Sequence, residues 1–114
     1  MPQDFVNFYK QFIADSIYQV NHIDFENIVG AYSYCDTLIQ ITSKNWIYTN
    51  WNALDEFIKE KRSEPKDGWD NRLYFDKKSF YCQMELMEVG MISQLGFEKI
   101  NGEWKLTLYA QFNC

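Results

Sequence analysis

His22 is the only histidine in this 114-residue chain, so any imidazole chemistry near neutral pH must run through it. Asp24 stands two residues on, but the pair falls between a short helical turn and an extended run. A position at a rim or on the surface is the simplest reading of such a histidine. Among the carboxylates, Asp15 suits a helix-junction cap. Asp36 alternates onto the same side of an expected strand as Tyr32, Tyr34 and Leu38. It could serve as a cavity carboxylate with Tyr34 beside it, or lie at a sheet edge in solvent. Of the four tryptophans, Trp104 reads as core, beside Phe97 and Leu106. Trp69 falls in a loop with Pro65 and Gly68, where it either covers a cavity mouth or anchors the loop. The candidate ligand-binding set is therefore His22, Tyr34, Asp36, Trp46 and Trp69, with no catalytic residue assigned.

Three cysteines, Cys35, Cys82 and Cys114, leave at least one thiol unpaired within a monomer. They lack the Cys-x-x-Cys spacing of a zinc site, and with a single histidine no metal or other cofactor is expected. The formal charge of −5 repels phosphate backbones, and the densest basic stretch, Lys59, Lys61 and Arg62, is interleaved with Glu60 and Glu64. No nucleic-acid role is expected. No apolar run reaches the roughly 20 residues of a membrane span. No signal sequence follows Met1, although a trimmed chain would look the same.

At this length residues 1–114 fit a single domain with its own core. Aromatic side chains, 21 in all, imply a thick core, a lined cavity, or both. Phe5, Phe8, Tyr9, Phe12 and Ile13 recur at helical spacing, which predicts a helix over 4–15 with Asp4 capping its start. Asp15 and Ser16 start a second short turn with Ile17, Tyr18 and Val20. His22–Ile28 reads as extended, ending near Gly30. A strand is expected over 31–42, a turn at Ser43–Asn45, and a short extended run from Trp46 to Thr49. Asn52 caps a helix with Leu54, Phe57 and Ile58 on its buried side, and 63–71 reads as the longest loop.

The C-terminal stretch carries the strongest signal. Asn101-Gly102 specifies a two-residue hairpin turn, because a type I′ turn needs positive φ at both central positions. Uniform pairing from that turn sets Lys99 against Trp104, Phe97 against Leu106, Leu95 against Leu108 and Met91 against Phe112. Phe80, Cys82, Met84 and Leu86 extend the apolar face onto a third strand. Any even-length bend near Val89-Gly90 keeps that parity. On this register Ile92, Tyr109 and Gln111 share the outer face, where a homodimer contact could form. The apolar face itself contributes no Asp or His, with Lys99 and Glu88 at its ends.

The run from Phe12 to Phe25 has the pattern Phe-x-x-Asp-x-x-x-Gln-x-x-x-Ile-x-Phe, through Asp15, Gln19 and Ile23. With Trp46 and the hairpin Gly102-Glu-Trp104-Lys-Leu106, it resembles an uncharacterised group of exported bacterial proteins. The resemblance implies the nuclear-transport-factor-2-like cone: an α+β fold in which N-terminal helices pack on a curved antiparallel sheet. It also implies export to the periplasm or cell surface, with a cytoplasmic location left open. Cones resembling ketosteroid isomerase or scytalone dehydratase use an Asp or His inside a cavity. The uncharacterised exported group has no established activity to lend, and fold analogy supports an architecture, not a reaction. The leading expectation is a non-catalytic binding domain for a small apolar ligand or a protein partner. A small lyase or isomerase using Asp36 or His22 is the second. An acidic immunity-like protein that blocks a basic toxin is the third.

Overall fold

The computed structural model describes residues 2–34, 37–48, 69–86 and 91–112. Helix α1 (Gln3–Ala14) buries Phe5, Phe8, Tyr9, Phe12 and Ile13, the stripe that the spacing predicts. Its start has no side-chain cap, and Asp4 serves elsewhere. Asp15 separates α1 from α2 (Ser16–Asn21) and caps the latter, its side chain accepting from the backbone N–H groups of Ile17 and Tyr18. Such a cap is worth about 1 kcal/mol.

Six strands form one sheet in the order β2-β1-β6-β5-β4-β3. They are β1 (Ala31–Tyr34), β2 (Thr37–Gln40), β3 (Trp69–Phe75), β4 (Ser79–Leu86), β5 (Met91–Ile100) and β6 (Glu103–Phe112). The sheet is mixed, because β1 pairs parallel with β6 through Tyr32–Gln111 and Ser33–Phe112. The cause lies upstream, where the chain already runs parallel to β6. Ile23 bridges Leu106 and Val29 bridges Leu108, the Leu106 N–H donates to the His22 carbonyl, and the Val29 N–H donates to the Thr107 carbonyl. At the hinge into β1, Gly30 has φ +117°, and a Cβ there would lie 2.0 Å from the Tyr109 carbonyl oxygen. Only glycine fits that approach.

Three expectations change here. The single strand over 31–42 is two antiparallel strands, with Tyr34 opposite Thr37. The long loop ends earlier than expected, because Trp69 opens β3 and pairs with Leu86. Trp46–Tyr48 forms no strand. The helix expected from Asn52 lies outside the described residues.

The meander holds, with one correction. Asn101 (φ 52°) and Gly102 (φ 83°) make the turn with both dihedrals positive, and Lys99–Trp104 and Phe97–Leu106 pair as expected. Between Gly96 and Phe97 the register slips by one residue, leaving Thr107 unmatched. Beyond this bulge Gly96 faces Leu108, Leu95 faces Tyr109 and Ile92 faces Phe112. The expected pairs Leu95–Leu108 and Met91–Phe112 do not form. A bulge flips the parity of the strand that carries it, so Tyr109 turns inward to 2% exposure while Leu108 turns out over Gly96. Gly96 accommodates this, because a Cβ there would lie 2.8 Å from that of Leu108. Leu95 and Met84 keep the helix-facing side, with Leu108 opposite. The cone survives the loss of a common side for all three because the slip is confined to one strand. Strand β4 meets β5 at Phe80–Phe97 and Cys82–Leu95, two residues along from the pairing of Phe80 with Lys99 and Cys82 with Phe97 that a bend at Val89-Gly90 predicts, so the parity is the expected one.

The core lies where α1 meets β4, β5 and β6. Phe5 stacks on Phe80 with ring centroids 4.4 Å apart and meets Phe97 and Trp104 edge-on. Phe8 and Phe12 also approach Phe97 edge-on, at 5.6 and 5.2 Å. Cys82 is 1% exposed beneath them. Burial alone pushes its thiol up to about 12, so it behaves as a small apolar group.

Candidate functional site

The α1 stripe fills the helix-facing side of the sheet, and the polar flank of the same helix forms one wall of a groove. Asp4, Asn7, Phe8 and Gln11 come from α1, and Tyr18 and His22 from α2 and its C-terminal cap. Lys99, Gly102, Glu103 and Trp104 come from the β5–β6 turn. The space is about 430 Å³ and opens to solvent.

Asp4 ties the start of α1 to the hairpin. Its Oδ2 accepts from Lys99 Nζ at 2.8 Å and from Trp104 Nε1 at 3.0 Å. The Lys99 and Trp104 hydrogen bonds hold the Asp4 carboxyl below the usual aspartate range. The tryptophan ring is buried, and its N–H, which must find an acceptor, reaches one at the groove.

His22 ends α2, and its ring lies on that of Tyr18 with centroids 3.9 Å apart. Its Nδ1 is 2.8 Å from the Tyr18 carbonyl oxygen. A carbonyl can only accept, so Nδ1 carries the proton and a neutral His22 keeps its Nε2 lone pair as an acceptor. No partner meets Nε2 among the described residues. Burial, and then the charge of Glu103, push the Tyr18 phenol above its usual value, so its hydroxyl stays protonated at neutral pH. The Glu103 carboxylate is exposed and forms no ion pair among the described residues.

Of the two candidate ligand-binding residues whose side chains are described, His22 lines this groove and Trp46 does not. Trp46 packs elsewhere, edge-on to Tyr109 at 5.1 Å and to Phe25 at 6.3 Å. Its Nε1 donates to Oε1 of Gln19 at 2.9 Å, and Gln19 Nε2 donates to the Phe12 carbonyl. Trp46 therefore braces the helix junction from inside. Trp69 lies on a strand rather than a loop. The side chains of Trp69 and Tyr34, and the whole of Asp36, lie outside the described residues. So do Cys35 and Cys114.

The expected dimer trio separates. Tyr109 is core, and Gln111 shares its parity on the helix-facing side. Ile92 lies across from Phe112 on the outer face. The sequence pattern did not single out Asp4, Tyr18, Lys99 or Glu103 for a site. Asp4, Asn7, Phe8 and Gln11 lie along one helix flank, which was the available signal. Among the described residues no group of three His, Cys, Asp or Glu side chains could hold a metal ion, and no helix is long and apolar enough to cross a membrane.

No family model matches the chain, and no curated protein matches it. Among solved structures it is similar to a de novo designed protein with a curved β-sheet (13% identity, TM-score 0.47, covering 97% of this chain and 98% of that one). It is also similar to a nuclear-transport-factor-2-like protein from Bacteroides fragilis NCTC 9343 (18% identity, TM-score 0.52). That match covers 96% of this chain and 47% of the other, so the chain spans about half the length of that relative. Two N-terminal helices on a curved mixed sheet of six strands, together with this match, make the fold a nuclear-transport-factor-2-like α+β cone.

Proposed function

We propose that this chain is a non-catalytic binding domain that receives a segment of a protein partner in the groove between α1, α2 and the β5–β6 turn. One contrast carries the reading. The helix-facing side of β4, β5 and β6 is packed with α1 aromatics, as in the Phe5–Phe80 stack at 4.4 Å, whereas the groove is open and its lining includes Gln11, Glu103 and His22 Nε2, which have no partner among the described residues. A small apolar ligand beneath β4, β5 and β6 would need the space those rings occupy. Selection of short random peptides by display on the immobilised protein tests the proposal. Enriched peptides should lose binding to Glu103→Lys and Gln11→Arg, two exposed substitutions. Peptides that bind these variants as well as the parent would refute the groove.

A second reading is proton transfer at His22, favoured by the carbonyl that fixes its Nδ1 and leaves Nε2 open. It requires turnover of some carbonyl substrate that His22→Gln abolishes and Asn7→Ala does not. Export belongs to the proposal on the strength of the Phe12–Phe25 resemblance. Fractionation of cells producing the full-length precursor tests it, and recovery in the cytoplasm alone rejects it. Self-association also belongs to the proposal, now through the outer sheet face. Ile92 and Leu108 lie there with Phe112 at 39% and Leu38 at 69% exposure. Sedimentation that stays monomeric at high concentration, with no change on Phe112→Glu, rejects it.

A further inference from the structure

We infer that the groove recognises a guanidinium group, the side chain of an arginine on the partner; the inference rests on the binding role proposed above. Among the described lining residues, the unpartnered Glu103 carboxylate and His22 Nε2 are acceptors, and the Tyr18 hydroxyl and the Asn7 and Gln11 amides complete the polar lining. Glu103 offers a carboxylate without an ion pair, His22 an Nε2 whose ring is already anchored through Nδ1, and Tyr18 a hydroxyl beside Glu103. The one cation among the described lining residues, Lys99, is 2.8 Å from Asp4 and neutralised by it. Among the described lining residues the two carboxylates, Asp4 and Glu103, thus outnumber the one ammonium, Lys99, and the whole chain carries −5.

An anionic ligand would meet Glu103 with no unpaired cation among the described lining residues to answer it. A primary ammonium is a compact, strongly hydrated point charge that satisfies few spaced acceptors at once. A guanidinium is planar, always charged and weakly hydrated, and it carries five N–H donors in a fork that matches a carboxylate bidentately. It also packs against aromatic rings, and the Tyr18–His22 stack with Phe8 supplies an aromatic wall.

The test is an amide-resolved NMR titration of the intact chain with N-acetylarginine amide. N-acetyllysine amide and the neutral isostere N-acetylcitrulline amide run in parallel. The arginine probe should shift Tyr18, His22, Gly102 and Glu103 as one site. Its affinity should be at least about tenfold above that of citrulline and should fall about fivefold in Glu103→Gln, the loss of one charge-assisted bond. Glu103 is exposed, so the variant should fold, and unchanged amide shifts outside the groove check that it does. Equal shifts with citrulline, lysine binding as tightly as arginine, shifts outside the groove, or no shifts at all each overturn the inference. Display-selected peptides that need the groove but lack arginine would overturn this inference and leave the binding role standing. The absence of any groove-dependent peptide would remove the binding role itself.

Discussion

The bulge at Thr107 makes a prediction that uniform pairing reverses. Leu108 and Tyr109 are neighbours on β6, and only one of them can face α1. The structure buries Tyr109 to 2% exposure, edge-on to Tyr32 at 5.7 Å and to Trp46 at 5.1 Å. Leu108 is half-buried over Gly96. Replacing each by threonine keeps a residue that favours strands, so the difference between the variants reports packing. Truncating a buried aromatic costs about 3–5 kcal/mol, including about 0.5–1.5 kcal/mol for each edge-on ring contact. Removing most of a half-buried leucine costs about 1 kcal/mol, from about half the usual burial gain. A chain of this length has about 6–17 kcal/mol of stability, so both variants should fold. In urea, with a slope of about 2 kcal/mol per molar, Tyr109→Thr should lower the midpoint by about 1.5–2.5 M and Leu108→Thr by about 0.5 M. Circular dichroism follows the transition without relying on Trp46. If Leu108→Thr costs as much as Tyr109→Thr, the register beyond Gly96 is uniform and the outer and inner faces of β6 have been exchanged.

Other outcomes follow from single sites. Gly30→Ala should cost more than about 2 kcal/mol, because positive φ and the Tyr109 carbonyl at 2.0 Å act together; Gly102→Ala, at φ +83° with nothing within 4 Å, should cost about 1 kcal/mol. Chemical denaturation of the two variants in parallel checks the order. In a Cys35→Ser, Cys114→Ser background, Cys82 should react with a thiol reagent only as fast as the chain opens. Its thiol is raised from 9.0 to about 12 in the folded state, so its effect on stability is absent below pH 9 and destabilising between there and 12, as the unfolded chain ionises first. Rapid native-state labelling at neutral pH would contradict this. Asp4 has the opposite sign. Its lowered pKa means that its contribution is present above the ordinary value of 3.8 and is lost as pH falls below it. Asp4→Asn should therefore flatten the acid limb of a stability profile, and an unchanged limb would show that the Lys99 pair contributes nothing.

Much of the scaffold was legible because local chemistry and tertiary packing agree. The α1 stripe follows from helical period alone, Asp15 from capping, and the β5–β6 turn from the positive φ that Asn101-Gly102 tolerates. The register beyond the turn failed at Gly96. A glycine inside a strand pattern is itself a bulge signal. Strand β3 was hidden because Asp70, Asn71 and Arg72 interrupt its apolar alternation and because Trp69 follows a Pro/Gly stretch. Its turn back to β4 rests on Asp76, whose Oδ1 accepts from the Lys78 and Ser79 backbone N–H groups, a short-range signal in Asp76-Lys-Lys-Ser79. The split of 31–42 into two strands depends on pairing with β6, which no local pattern encodes. The groove was the least legible part. Asp4, Tyr18 and Glu103 lie far apart in the chain, and only the docking of α1 on the hairpin brings them together. His22, the only imidazole in the sequence, lines the groove, whereas Trp46 gives its N–H to the buried Gln19, a long-range pairing that no local pattern encodes.

The footprint of a display-selected peptide on the amide spectrum tests the central claim most directly. Shifts clustered at Asn7, Gln11, Tyr18, His22, Gly102 and Glu103 are the predicted result, with Leu95, Cys82 and Met84 unmoved. A footprint on those last three would mean that the α1 aromatics yield to a guest and that the binding site lies inside the cone.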